Sequence, residues 1–150
     1  ALLAGHVLAL GVDVSKEAVA LARARGAAAL QRDVFGPLPR EGCWQHILLA
    51  DGNIGIGGDP IRLLARCREL LDQTGTVLVD LQGTGAHLRT DRLRLRVGEL
   101  ASDWFHWSSL PTGALRAVAA AAGFSVVEVW RSAGRWQAEL RVCDRWDLDQ

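Results

Sequence analysis

A strand that runs straight into a helix is indicated by the stretch Val7-Leu-Ala-Leu-Gly-Val-Asp-Val14, which Ser15 follows directly. The eight residues form a short apolar run without a helical period, and this is typical of a strand buried on both faces. Ser15 is a good N-cap residue. Apolar residues then recur at helical spacing up to Gly26, which favours a helix with a left-handed C-cap. The stretch therefore predicts the β-α step from which parallel sheets are built.

The same step is repeated further along the chain. Brief strands are predicted over residues 28–31 and 46–50, and a longer helix begins at Pro60 after the cap residue Asp59. Another buried strand covers residues 76–81. Strands that alternate with helices imply right-handed crossovers. We therefore expect an α/β fold with a Rossmann-like, mostly parallel sheet and helices on both faces.

The last third of the chain has a different pattern. Arg92-Leu-Arg-Leu-Arg96 alternates with period two and precedes Trp104-Phe-His-Trp107, which predicts an antiparallel hairpin inserted at about residues 88–109. Thr112 is expected to cap a further helix. Two strands around the turn Ser132-Ala-Gly-Arg135 are expected to close the fold as an antiparallel C-terminal pair. We expect all 150 residues to form a single domain.

The overall composition argues against several classes of function. Apolar residues make up 49% of the chain and charged residues 23%, the balance of a protein that folds around a core in water. Basic and acidic residues number 17 each, so no overall field draws the chain to nucleic acid or to an anionic membrane. The three cysteines form no Cys-x-x-Cys pair. We therefore expect a cytoplasmic protein without a metal site.

Three stretches occur in a specific order: Gly11-Val-Asp-Val-Ser-Lys-Glu-Ala-Val-Ala-Leu-Ala22, then Asp33-Val34, then Leu70-Leu-Asp-Gln-Thr-Gly-Thr-Val-Leu-Val79. With the final helix and the two-strand ending, this order resembles the class I S-adenosylmethionine-dependent methyltransferases. The resemblance implies methyl transfer from S-adenosylmethionine to a small-molecule acceptor. The family's first strand and glycine-rich loop have no counterpart here. We expect them to precede Ala1, so that the domain is truncated at its N-terminus.

The resemblance assigns cofactor contacts to the ends of two strands. Open parallel sheets bind ligands outside the carboxyl ends of their strands. Asp13, with Val14 beside it, is implied to accept hydrogen bonds from the ribose hydroxyls of the cofactor. Asp33 and Val34 are implied to contact its adenine. An aspartate after a strand also has an ordinary structural role, since it often supports the turn that follows.

The loop after the strand at 46–50 carries the remaining candidates. The resemblance places Asp51, Gly52 and Asn53 near the methionine part of the cofactor and the acceptor, although such a loop is also typical of a flexible connection. A methyltransferase mainly orients its reactants and excludes water, so a general base is optional. Asp51 and His106 are the candidates for that base. The aromatic residues around His106 are candidates for an acceptor pocket or for a packed strand.

Two other interpretations remain open from the sequence. An acidic residue at the end of a strand also binds the ribose of NAD, and glycines from Gly52 to Gly58 lie between a strand and a helix. The rival enzyme class is therefore an NAD-binding oxidoreductase, although the spacing is not Gly-x-Gly-x-x-Gly. Alternatively, the chain is a catalytically silent fragment or an interaction module. A missing first strand would leave strand edges unpaired, which predicts a homo-oligomer formed through those edges.

Overall fold

The N-terminal β-α-β step forms as the sequence predicts. The computed structural model describes residues 8–143. The step consists of strand β1 (Gly11–Asp13), helix α1 (Lys16–Ala24) and strand β2 (Ala29–Gln31). Ser15 caps the helix, since its Oγ accepts a hydrogen bond from the Ala18 backbone N at 3.1 Å. β1 and β2 pair in parallel. Both belong to the first of two compact units, which ends at Pro39.

The first strand is shorter than predicted. The apolar run predicts a strand from Val7 to Val14, but only Gly11–Asp13 is paired, and Val7 lies outside the described residues. The length of the partner explains the difference, because β2 offers only the three residues Ala29–Gln31 for hydrogen bonds between the strands.

The second unit begins at Arg40 and contains the larger sheet. Its strands are β3 (Trp44–Leu49), β4 (Leu71–Leu81), β5 (Arg89–Leu93), β6 (Arg96–Val97), β7 (Leu100–Ala101), β8 (Phe105–Ser109), β9 (Phe124–Ser132) and β10 (Arg135–Val142). Its α-helices are α2 (Pro60–Leu70) and α3 (Leu115–Ala121). Four of the strands form one sheet in the order β3-β4-β10-β9.

This sheet is mixed, which corrects the prediction of a mostly parallel one. β3 and β4 are parallel, whereas β10 is antiparallel to both β4 and β9. The cause is the tight turn at Ala133 and Gly134, which both have positive φ. The turn sends the chain back beside β9, and β10 then lies between β9 and β4. The antiparallel C-terminal pair itself is confirmed.

The core of the second unit lies where α2 and α3 pack on this sheet. Val77 and Val79 of β4 lie opposite Leu140 and Ala138 of β10, and all four are buried. The helices contribute a second set of buried apolar side chains: Leu63, Leu64, Cys67, Leu115, Val118 and Ala119. Each large aliphatic side chain in such a layer contributes about 1.5–3 kcal/mol relative to an exposed one. This packed layer holds the carboxyl ends of β3 and β4 in place.

The two helices of this unit begin in different ways. Asp59 caps α2 as predicted, since its Oδ1 accepts a hydrogen bond from the Arg62 backbone N at 3.0 Å. Thr112 does not cap α3, which corrects the prediction. Residues Thr112–Ala114 form a short 3-10 turn without a side-chain cap, and the Thr112 backbone N donates to the Gly83 carbonyl at 3.1 Å. No helix within residues 8–143 combines the length and apolarity needed to cross a membrane.

An antiparallel hairpin occupies the region for which one is predicted. β5 pairs with β8, and the shorter strands β6 and β7 pair with each other. The hairpin packs closely on the loop that follows β3. A Cβ at Gly55 would lie 2.2 Å from the carbonyl oxygen of Ser108, so only glycine permits this approach. The hairpin therefore fixes the path of the loop that begins at Asp51.

Candidate active site

Four predicted cofactor-binding residues lie at the carboxyl ends of β1 and β2. Asp13 is the last residue of β1, with Val14 directly after it, and Asp33 and Val34 follow β2. Asp13 and Asp33 are both exposed. Because β1 and β2 are parallel, these residues lie at the same edge of the strand pair, where α/β sheets bind ligands.

Each of these two carboxylates supports its own turn. Asp13 Oδ1 accepts a hydrogen bond from the Ser15 backbone N at 2.8 Å, and Asp33 Oδ1 accepts one from the Phe35 backbone N at 2.9 Å. Both aspartates therefore support the turn after their strand, which is the structural role that the sequence also allows. A carboxylate has two oxygens and about four acceptor positions. A turn contact of this kind is compatible with a ligand contact at the same side chain.

Asp51, Gly52 and Asn53 follow β3 and reverse the chain sharply. Asp51 has φ 54° and Gly52 has φ 78°, a left-handed backbone that aspartate tolerates better than most residues and that glycine adopts freely. The Asn53 backbone N donates to the Ala50 carbonyl at 3.0 Å and closes the turn. The Asp51 side chain is 73% exposed, so its carboxylate is accessible at the end of the strand.

Asp80 of β4 holds the start of this loop, although it is not among the residues predicted for the site. Its Oδ2 accepts a hydrogen bond from the Asp51 backbone N at 2.8 Å, and its Oδ1 accepts one from Gln137 Nε2 at 3.0 Å. Trp130 Nε1 in turn donates to Gln137 Oε1 at 2.9 Å. Asp80 is only 9% exposed, and a carboxylate this buried needs such donors. Its signal in the sequence is an acid that directly follows the apolar run Val77-Leu-Val79.

Arg135 joins the carboxylates of Asp51 and Asp80. Its Nη1 donates to Asp51 Oδ1 and lies 3.5 Å from Asp80 Oδ2. The hydrogen bond to Asp51 and the charges of both carboxylates raise the pKa of the Arg135 guanidinium, so it remains charged. Arg135 is the first residue of β10, and the register that sets Trp136 opposite Leu81 brings the start of β10 to the end of β4. No local pattern predicts the contact, because Arg135 and Asp51 are 84 residues apart.

Two open cavities adjoin these charged residues and share Leu81 and Arg135. The smaller has a volume of about 260 Å³ and is lined by Asp51, Gly52, Asp80, Leu81, Gln82 and Arg135. The larger has a volume of about 440 Å³ and lies between the end of β4 and the turn that joins β9 to β10. Both therefore lie at the carboxyl end of β4, the position at which sheets of this class bind ligands. The arrangement can hold a small polar molecule beside the Asp51 carboxylate.

His106 lies elsewhere in the second unit. It belongs to β8, opposite Arg92, and it packs against the loop after β3, since a Cβ at Gly58 would lie 2.5 Å from the His106 Cβ. As far as the described residues define the two cavities, His106 lines neither. The structure thus does not bring His106 and Asp51 to one cavity. Across residues 8–143, no three His, Cys, Asp or Glu side chains are grouped so that they could hold a metal ion.

The aromatic side chains around His106 make packing contacts. Trp107 packs against Gly55, where an added Cβ would lie 2.5 Å from Trp107 Nε1. The guanidinium groups of Arg92 and Arg94 lie 5.2 and 5.0 Å from the Trp104 ring centroid, which is within the range of a cation–π interaction. These contacts favour the packed strand over the acceptor pocket.

Solved structures of S-adenosylmethionine-dependent methyltransferases match the chain, whereas no family model and no curated protein does. One from Bacteroides fragilis, solved with S-adenosyl-L-homocysteine, aligns with a TM-score of 0.69 at 21% identity over 89% of this chain and 62% of that one. The 1,6-didemethyltoxoflavin-N1-methyltransferase of Burkholderia thailandensis aligns with a TM-score of 0.63 at 17% identity, over 90% and 61%. The glycopeptide N-methyltransferase MtfA, complexed with S-adenosylmethionine, aligns with a TM-score of 0.64 at 15% identity, over 90% and 72%.

The likeness at these identities concerns the fold. About nine tenths of this chain is aligned in each case, whereas the chain spans about three fifths of the length of the Bacteroides and Burkholderia enzymes. This chain contains a parallel strand pair, a mixed sheet and an antiparallel C-terminal pair. The chain therefore has the fold of the class I S-adenosylmethionine-dependent methyltransferases.

Proposed function

We propose that this chain carries out S-adenosylmethionine-dependent methyl transfer to a small-molecule acceptor. The observation that carries the proposal is the fold, which it shares with methyltransferases solved with S-adenosylmethionine or S-adenosylhomocysteine. One of these enzymes is solved with bound 1,6-didemethyltoxoflavin as well, which supports an acceptor of that size. The oxidoreductase interpretation has no comparable support, because the fold neighbours described above are methyltransferases.

The residues at the carboxyl ends of β1 and β2 are those proposed to hold this cofactor. In this proposal the exposed carboxylate of Asp13 accepts hydrogen bonds from the two ribose hydroxyls, a charge-assisted and geometrically selective contact. Val14 is 67% exposed and offers apolar surface beside it. Asp33 accepts a hydrogen bond from the exocyclic amine of the adenine, and Val34 supplies an apolar flank and a backbone donor.

Within the second unit, the loop after β3 carries the residues that we propose for action on the acceptor. When bound, S-adenosylmethionine supplies a methyl group on an electrophilic sulfonium. The chain itself orients the nucleophile and takes up its proton where one is released. Asp51 is preferred over His106 for this proton, because it lines a cavity and is held in place by Asp80 and Arg135. Gly52 lines the same cavity, and Asn53 remains a proposed contact.

Calorimetric titration with S-adenosylmethionine tests this proposal. We expect S-adenosylmethionine and S-adenosylhomocysteine to bind, and NAD not to bind at the same concentrations. Asp13→Asn should weaken binding about tenfold or more, because hydrogen bonds to charged groups contribute about 1.5–3 kcal/mol. Asp103→Asn is the matched control, since it changes an exposed carboxylate on the hairpin and should leave the affinity unchanged.

The outcomes separate the assignment from the role of Asp13. Failure of both S-adenosyl compounds to bind would contradict methyl transfer by this chain and would favour the catalytically silent fragment. If the wild-type chain and Asp13→Asn bind S-adenosylmethionine with the same affinity, the methyltransferase proposal stands, but Asp13 does not bind the ribose.

A further inference from the structure

The larger cavity has a cationic lining that the proposed reaction does not yet use. Its charged lining residues are Arg131 and Arg135, and no carboxylate of residues 8–143 lines it. Leu81 and Trp136 add apolar surface, and the volume of about 440 Å³ suits a small molecule. The charge of Arg135 is balanced by Asp51 and Asp80, so the unbalanced positive charge of this lining is that of Arg131. The lining therefore offers a small anion the guanidinium of Arg131 and the remaining donors of Arg135.

Arg131 is the cation of this cavity that forms no ion pair with a described residue. Its guanidinium lies 5.9 Å from the centroid of the Trp136 ring, and the residue is exposed. The guanidinium has no hydrogen-bond or ion-pair partner in the described chain. Guanidinium N–H groups form a planar fork that matches the two oxygens of a carboxylate or phosphate. The contact with Trp136 thus positions this fork, and its donors are open to solvent and to a ligand.

Arg135 connects the cavity to the candidate reaction centre. Only its Nη1 is engaged by Asp51 and Asp80. A guanidinium has five N–H donors, so Nη2 and Nε remain for a ligand. Because Arg135 lines both cavities, an anion bound beside it lies next to the Asp51 carboxylate. A ligand anchored in the larger cavity is thereby kept within reach of the site proposed for proton removal.

We propose that the cavity formed by Arg131, Arg135 and Trp136 binds an oxyanion group, carboxylate or phosphate, of the methyl acceptor. This inference rests on the proposed function, which it makes more specific: the acceptor is a small acid or phosphate ester. Arg131 supplies the main ligand for the anion. Arg135, which is shared with Asp51, orients the acceptor toward that carboxylate.

Binding of simple anions to the wild-type chain, without cofactor, provides the test. Benzoate and phenyl phosphate probe the two oxyanions separately, and benzamide is the neutral match for benzoate. Titration is followed through the indole N–H resonance of Trp136, which is assigned with Trp136→Phe. We expect at least one of the two anions to bind and to shift this resonance, and benzamide not to bind. Arg131→Gln should weaken anion binding about tenfold, consistent with loss of a charged hydrogen-bonding partner.

A second arginine gives the matched control. Arg116→Gln removes an exposed arginine of α3 and should leave anion binding unchanged. Equal affinities of the wild-type chain and Arg131→Gln would overturn the inference, as would equal affinities for benzoate and benzamide or no binding of either anion. The result is independent of the cofactor titration. Cofactor binding without anion binding contradicts only this inference, whereas anion binding without cofactor binding contradicts the proposed function.

Discussion

Asp80 shows how a single buried acid sets the geometry of the candidate site. It lies in β4 with two apolar neighbours, Val79 and Leu81, that are buried in the core. Burying a carboxylate without donors is costly, and here the donors come from the Asp51 backbone and from Gln137. The backbone N of Asp51 in turn needs an acceptor, and the Asp80 carboxylate provides it. The left-handed turn at Asp51 is thus tied to β4.

Replacing Asp80 should therefore cost more than replacing an exposed acid. Asp80→Ala leaves the Asp51 backbone N and Gln137 Nε2 without their acceptor, and we expect the free energy of unfolding to fall by about 2 kcal/mol. Urea denaturation measures the change. Asp103→Ala, on the exposed hairpin, should change it by less than about 0.5 kcal/mol. Equal effects of the two variants would show that Asp80 does not hold the loop.

Helix starts provide a direct comparison between two elements. The sequence predicts side-chain caps at Asp59 and Thr112, but only Asp59 makes one. We expect Asp59→Ala to lower the free energy of unfolding by about 1 kcal/mol, the typical contribution of an N-cap. Thr112→Ala should lower it by much less, because the backbone N of Thr112 makes the contact to Gly83 and is unchanged by the substitution. Thermal unfolding of both variants, followed by circular dichroism, checks the difference.

Local sequence patterns predict most helices and strands, but they do not predict which strands pair in the sheet. The β1-α1 step follows from an apolar run and a capping serine, both of which are local. The position of β10 between β4 and β9 depends on which strand edges meet, and no periodicity encodes that choice. The same limit applies to the candidate site. The family resemblance predicts Asp51, because it places the loop after this strand near the ligand, but Arg135 reaches Asp51 only through the register of β10.

The composition of the chain and the burial of one cysteine allow the stability of the whole molecule at alkaline pH to be predicted. The chain contains no tyrosine and a single lysine, Lys16, so few groups lose a proton at high pH. Cys67 belongs to α2, faces the core and is fully buried. Burial raises the pKa of its thiol from 9.0 to about 12, because the thiolate is poorly solvated there.

This raised pKa predicts how stability falls with pH. Below pH 9 the thiol is protonated in both states, and its contribution to stability is fully present. Between about pH 9 and about pH 12 the unfolded chain releases the proton and the folded chain retains it, so the free energy of unfolding decreases. The loss has an upper limit of about 4 kcal/mol at about 1.4 kcal/mol for each pH unit. Urea denaturation at several pH values measures this slope.

Two cysteine variants separate this effect from general alkaline damage. Cys67→Ala should be less stable than the wild-type chain at pH 7, because it leaves a small cavity in the core. Its free energy of unfolding should nevertheless decline much less above pH 9, since the buried titrating group is gone. Cys43→Ala removes an exposed thiol and should keep the wild-type slope. If Cys67→Ala retains that slope as well, the alkaline loss arises elsewhere, and the buried thiol does not couple protonation to folding.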